Sequence, residues 1–315
     1  MHTIQYEFHI INQKNFFLKA VLYGRMENNM KDNFRILVAG GDMRQVYCAE
    51  KLSAVYDTYV IGFSDESVPE KISLKPAITD KDKFYDFVVL PVIPLDNNGM
   101  ITAPFCNEKI NPNEIKRLLK TNGIIFAGKF NDKLSEIFEN TEIIDYMERE
   151  DLSLKNAVPT AEGAVEIALN ELPVTLNGLK VLIVGLGRIG MALAEILKGF
   201  GADITASVRN AKGTAKARVL GIKSVCTKKM NTDYSLVFNT VPEMIFDNEL
   251  LEKFSNDTLF IDLASKPGGI DFDSAVSLGK KVIWALGIPG KTAPVTSGEF
   301  IAETITGILE ERGLL

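Results

Sequence analysis

Lys180-Val-Leu-Ile-Val-Gly185-Leu-Gly187-Arg188-Ile189-Gly190 decides the fold. Residues 181–184 form a continuous apolar run, the mark of a strand buried on both faces. Glycines then follow at the spacing GxGxxG, and Ile189, Leu193, Ile196 and Leu197 recur on one helical face. A glycine turn between a buried strand and an amphipathic helix is the context that a dinucleotide fingerprint requires. Gly185 then permits the tight turn, Gly187 lets the backbone approach a pyrophosphate, and Gly190 lets helix and strand pack closely. Backbone N–H groups and the positive helix end hold the phosphates. Arg188 and Ile189 belong to the same loop; Arg188 either reaches the cofactor or covers it.

The following strand, ADITASVRN at 202–210, sets the cofactor type. Units that bind NAD end this strand with a carboxylate that accepts from the ribose 2′-OH. Here that position falls on Val208, flanked by Ser207, Arg209 and Asn210, while Asp203 stands too early. Arg209 can pair with a 2′-phosphate, and Ser207 and Asn210 can donate to it. The pattern favours NADP over NAD; the rival reading makes Arg209 a solvated strand-end charge. Ligands of open parallel sheets lie at the carboxyl ends of strands. That adds Asn239-Thr240-Val241-Pro242 beside the cofactor ribose. It also places Asp262-Leu263-Ala264-Ser265-Lys266 and Leu286-Gly287, with Lys291 beyond, toward the nicotinamide.

Outward from this motif, short apolar runs alternate with helical patterns twice over. Strands are expected at 35–39, 59–63, 87–90, 124–127 and 142–146, then at 181–184, 204–208, 224–226, 236–239, 259–263 and 282–286. Helices are expected at 44–53, at 113–119, and from Thr160 to about Leu172, where Pro173 ends the pattern. The fold class is therefore α/β: two Rossmann-like domains with parallel sheets flanked by helices, joined by a connecting helix, with a cleft between them. Residues 1–29 read as an extension, with an added strand or helix as the alternative. Residues 30–150 make a substrate-side domain and 151–294 the NADP-binding domain with its connecting helix. Residues 295–315 form a C-terminal helix, with Thr296 and Glu299 as a capping box and Ile301, Ile305, Ile308 and Leu309 as its apolar stripe. The first domain opens on Gly40-Gly41-Asp42-Met43-Arg44-Gln45, which lacks the third glycine and carries charges at the turn instead.

Composition narrows the chemistry. Among 315 residues, 35 Lys and Arg face 41 Asp and Glu, a net charge of −6. No basic face for nucleic acid or a membrane surface is indicated, and no run reaches the ~20 apolar residues of a spanning helix. The start lacks a basic region and a cleavage site, so no signal peptide is expected. Cys48, Cys106 and Cys226 are far apart and form no CxxC pair, which fits a reducing cytoplasm and argues against a zinc site. His2 and His9 are the only histidines, so residues 10–315 offer no imidazole. A Ser-His-Asp hydrolase, a His-ligated metal site and a dehydrogenase with a His base are all excluded, and no metal is expected.

Taken together, Gly40–Gln45, NAVPTAEG at 156–163, the Gly185–Gly190 turn, DLASKPGG at 262–269 and ALGIPGKTAPVTSG at 285–298 resemble the A subunit of bacterial dipicolinate synthase. The likeness spans about residues 31–315. It implies a two-domain oxidoreductase linked to NADP that oxidises dihydrodipicolinate, or the hydroxylated precursor that dehydrates to it. It further implies partnership with a flavoprotein-like B subunit, and a place in the mother-cell cytoplasm during sporulation. Whether the chain also forms a homo-oligomer stays open.

A substrate with two carboxylates calls for cations and hydroxyls. Arg44, Lys129, Lys266 and Lys291 stand at or beyond expected strand ends, and Thr160, Ser265, Thr296 and Ser297 can donate. Lys266, Lys291, Arg44 and Thr160 are the catalytic candidates. Glu162, expected in a first helical turn, is either a base or a partner of the helix dipole. Loss of a hydride and a proton is helped by aromatisation, so a strongly tuned base is not required. The alternatives are a methylenetetrahydrofolate- or shikimate-dehydrogenase relative and a noncatalytic NADP-binding subunit. A 2-hydroxyacid dehydrogenase would need the missing histidine.

Overall fold

The computed structural model describes residues 34–314 except 65 and 67; the expected extension at 1–29 lies outside them. Among the described residues, those up to Leu152 and again from Gly298 form one compact unit, and Ser153–Ser297 form the second.

The first unit runs β1 (Arg35–Ala39), α1 (Met43–Ser53), β2 (Asp57–Ile61), β3 (Lys75–Pro76), β4 (Tyr85–Val89), α2 (Pro112–Leu118), β5 (Leu119–Ala127), α3 (Asp132–Ile137) and β6 (Glu142–Asp145). α4 (Glu150–Glu171) then leads into β7 (Lys180–Val184), α5 (Arg188–Gly199), β8 (Asp203–Val208), α6 (Ala211–Leu220), β9 (Lys223–Cys226) and β10 (Leu236–Asn239). α7 (Asn248–Glu252), β11 (Leu259–Asp262), α8 (Phe272–Ser277), β12 (Lys281–Trp284), α9 (Ile288–Thr292) and α10 (Pro294–Glu311) follow. The sheet orders are β3-β2-β1-β4-β5-β6 and β12-β11-β10-β7-β8-β9, with every ladder parallel. Each sheet starts at its centre, grows one way, then reverses, which is Rossmann topology in both units.

Alternation along the central strands explains the layers. Ile36 and Val38 of β1 enter one core, Leu37 and Ala39 the other. In β7, Val181 and Ile183 face the core that holds α5, and Leu182 and Val184 face the core that holds Phe246 and Phe260. Successive side chains of a strand point to opposite faces, so a continuous apolar run is needed when helices cover both. Three mutually edge-on rings, Phe246, Phe254 and Phe260, fill the second of these cores, with centroids 5.1–5.9 Å apart.

Three local expectations need correction. The helix expected to start near Thr160 begins at Glu150 and runs through Pro159. Proline inside a helix removes one ladder hydrogen bond; beside it the Thr160 hydroxyl donates to the Asn156 carbonyl at 2.6 Å. Glu162 therefore stands in mid-helix, outside any first turn. Thr296 does not cap the last helix, which starts at Pro294, a residue suited to an N1 position because its missing N–H is unneeded there. The short edge strand β3 has no counterpart among the expected strands. From Gly298 onward α10 puts Ile301, Ala302, Ile305, Ile308 and Leu309 into the core of the first unit. Gly298 lies so close to α1 that a Cβ there would collide with the Arg44 carbonyl.

Candidate functional site

At the carboxyl end of β7 the three glycines have different tasks. Gly185 sits at φ +90°, and a Cβ there would strike Thr240 Oγ1 at 2.6 Å and Val241 Cγ2 at 2.7 Å. Thr240 closes the turn by donating to the Val184 carbonyl at 2.8 Å. Gly190 presses α5 onto the turn: its Cβ would collide with the Gly185 carbonyl. At Gly187 there is room for a side chain: no heavy atom lies within 4 Å of where its Cβ would be. It is also the N-cap of α5, and no side chain caps that helix. A glycine whose missing side chain leaves space at an uncapped helix start fits an anionic ligand approaching the backbone.

A cavity of about 350 Å³ opens beside this turn. Of the residues expected to bind a cofactor, Gly185, Gly187, Ser207, Val208, Arg209, Asn210, Thr240, Val241 and Pro242 line it. Lining residues that escaped sequence reasoning include Lys212, Gly213 and Lys216 of α6, Thr227 beyond β9, and Ile245. Lys216 Nζ donates to the Leu186 carbonyl at 2.9 Å, tying α6 to the glycine turn. Thr227 accepts from the Ser207 hydroxyl at 3.0 Å. Asn210 caps α6, its Oδ1 accepting from Gly213 N at 2.9 Å. Arg209 pairs with Glu243, and the guanidinium holds the Glu243 carboxyl below its ordinary range.

The other expected cofactor residues lie outside this cavity. Ile189 packs against the core under α5. The Asn239 and Asp262 side chains are fully buried and joined by an Asn239 Nδ2 donation to Asp262 at 2.8 Å. Asp262 also accepts from Ala264 N at 3.0 Å and Gly269 N at 2.8 Å, so this carboxylate shapes the 263–269 loop. Leu263 is buried, and the Ala264 carbonyl accepts from the Trp284 indole at 3.1 Å. Leu286 is exposed, and Gly287, at φ +69°, starts α9.

Among the catalytic candidates, Lys266 and Lys291 are exposed and carry no ion pair among the described residues. Thr160 donates within α4, and Ser297 is buried with its hydroxyl donating to the Pro289 carbonyl at 3.2 Å. Lys129, Ser265 and Glu162 are exposed.

Arg44 belongs to the first unit and to a different kind of turn. Gly40 and Gly41 have φ of +68° and +108°. Next to them Asp42 caps α1, accepting from Arg44 N at 3.0 Å and from Arg44 Nη2 at 2.7 Å. The start of α1 already has its own carboxylate.

Two parallel Rossmann units, one with an uncapped GxGxxG turn facing a cationic cavity, define a dinucleotide-binding dehydrogenase architecture. Residues 159–267 match the family described as D-isomer specific 2-hydroxyacid dehydrogenase, NAD binding domain. Residues 35–147 match the N-terminal domain of the dipicolinate synthase A subunit. The chain is 31% identical to the A subunit of dipicolinate synthase from Bacillus subtilis over 90% of its own length and 98% of that protein's. It belongs to the family of dipicolinate synthase A subunits. Two solved structures agree with it closely. The crystal structure of the dipicolinate synthase A subunit from Bacillus halodurans has a TM-score of 0.81 at 28% identity, over 89% of this chain and 99% of that one. Its counterpart from Bacillus subtilis has 0.80 at 30%, over 90% and 98%.

Proposed function

We propose that the chain catalyses an NADP-linked dehydrogenation that yields dipicolinate, pyridine-2,6-dicarboxylate, from dihydrodipicolinate or from the hydroxylated precursor that dehydrates to it. The observation that carries the reading is the uncapped turn at Gly187 beside a cavity lined by Arg209, Lys212 and Lys216. Gly185, Gly187 and the start of α5 would hold the pyrophosphate. Arg209, Asn210 and Lys212 would meet the ribose 2′-phosphate, a dianion at neutral pH that favours several cations. Thr240, Val241 and Pro242 would border the ribose.

Bound there, the oxidised coenzyme supplies the hydride acceptor. The substrate loses a hydride and a proton, and the proton passes to solvent. Aromatisation of the ring drives the step, so a side chain with a finely tuned pKa is not required, in keeping with a chain without histidine beyond residue 9. Lys266 and Lys291 are assigned to the carboxylates because neither has another anionic partner among the described residues. Arg44 is already held by Asp42 and Thr160 by Asn156, so they rank behind the two lysines. In this reading the chain works with a flavoprotein-like B subunit in the mother-cell cytoplasm of a sporulating bacterium.

The test is direct. The purified chain is mixed with NADP and the freshly made product of a dihydrodipicolinate synthase, and absorbance of reduced coenzyme and of the aromatic product is followed, with and without the B subunit. Both signals should rise together. NADPH binding without turnover in either mixture would instead mark a noncatalytic subunit.

A further inference from the structure

We infer that Glu243 is a specificity-determining residue of the coenzyme site, a built-in anion that competes with the 2′-phosphate for Arg209; this rests on the proposed use of NADP. Arg209 directly follows β8, and Glu243 follows β10, but β7 lies between those strands in the sheet. An ion pair between them must therefore cross the carboxyl end of β7, where the Gly185 turn and the cavity lie. Arg209 lines that cavity, as do Val241 and Pro242 of the segment that carries Glu243.

The backbone under Glu243 is fixed, while its side chain is not. Ile245 N and Phe246 N both donate to the Gly269 carbonyl at 3.0 Å, and the Val241 carbonyl accepts from Asn239 Nδ2 at 3.0 Å. Gly269 approaches so closely that a Cβ would sit 2.9 Å from the Glu243 carbonyl. The side chain, in contrast, is 60% exposed, so the carboxylate can rotate away into water.

An exposed ion pair contributes little, and the contact engages one nitrogen of a guanidinium that has five N–H donors. A phosphate dianion brings more charge and three acceptor oxygens, so it displaces the carboxylate. A ribose 2′-OH is neutral and does not. Glu243 thus costs NADP some affinity by occupying Arg209 and by repelling the phosphate, and leaves NAD nearly untouched. Because Arg209 holds it below the ordinary glutamate range, this carboxylate is charged at neutral pH.

The experiment is calorimetric titration of the full-length chain with NADP and with NAD, for wild type, Glu243→Gln, Arg209→Ala and the double variant, at low and high salt. Glu243→Gln should tighten NADP about two- to fivefold at low salt, the equivalent of an exposed ion pair, with no change for NAD. The gain should vanish at high salt, where exposed charges are screened, and in the Arg209→Ala background. Unchanged or weaker NADP binding in Glu243→Gln, or an equal gain for NAD, would overturn the inference while Arg209→Ala still discriminates between coenzymes. If Arg209→Ala weakens both coenzymes equally, the NADP reading itself fails. Glu243→Lys adds a cation and should exceed the gain of Glu243→Gln; no gain there also contradicts the inference.

Discussion

The two Rossmann units share strand order and each has a glycine turn after its central first strand, yet their turns end in opposite ways. In the first unit Asp42 caps α1 and pairs with Arg44, so the helix end meets an anion belonging to the protein. In the second unit the N-cap is Gly187, which offers no side chain to cap α5 and leaves space there, and Lys212 and Lys216 stand on the neighbouring helix. On the proposed reading, one fold uses the same positive helix end for stability in one place and for ligand binding in another. A single position, aspartate against glycine at the N-cap, separates the two uses.

The comparison can be broken most sharply at Gly187. Gly187→Val should still fold, with Tm lowered by no more than an N-cap change costs, since no heavy atom lies within 4 Å of where its Cβ would be. It should lose about 100-fold or more in NADP affinity, the value of two charge-assisted backbone contacts. Thermal unfolding and calorimetry on the same sample check both halves; a weaker fold with retained affinity would reverse the assignment. Gly190→Ala sharpens the point differently, because its Cβ would strike the Gly185 carbonyl, so stability and affinity should fall together.

Next in size is Arg209→Asp. NADPH affinity should drop about tenfold more than NADH affinity, as expected for losing a charged hydrogen bond and adding a repulsive charge. Equal losses would remove the argument for NADP. At the first turn, Asp42→Ala should cost about 1 kcal/mol of stability, as losing a cap does, and leave coenzyme affinity unaltered; denaturant unfolding gives the first number.

The smallest effect is a titration. The folded pKa of Glu243 is lowered by Arg209. Whatever the pair adds to stability is therefore present above the ordinary glutamate range and lost as pH falls through the lowered value. NADP, by taking Arg209, should move the carboxyl midpoint upward, whereas NAD should not. Carboxyl NMR follows it, and an identical midpoint with both coenzymes would count against the competition.

Much of this was legible in the sequence because the informative contacts are local. The run 181–184 with its glycines carries strand, turn and helix within a few residues, and the apolar stripe Ile301, Ile305, Ile308 and Leu309 reads directly as the buried face of α10. What stayed hidden depends on distance in sequence or on side-chain direction. Lys212, Lys216 and Thr227 enter the cavity only because β8, α6 and β9 fold back beside β7. Asn239 and Asp262 look like strand-end ligands in a linear reading, but they turn inward and bond to each other. Pro159 looks like a helix boundary because proline breaks the ladder, and yet α4 continues through it. The pairing of Arg209 with Glu243 joins residues that follow strands that are not even neighbours, so no spacing rule exposes it.

Amide hydrogen exchange of the full-length chain, with and without NADPH, tests the contrast between the two turns most directly. Added coenzyme should slow exchange at Gly185–Gly190 and at 209–213, and leave 40–45 unchanged. Slowing centred on 40–45, or none at 185–190 under saturating coenzyme, would contradict the account.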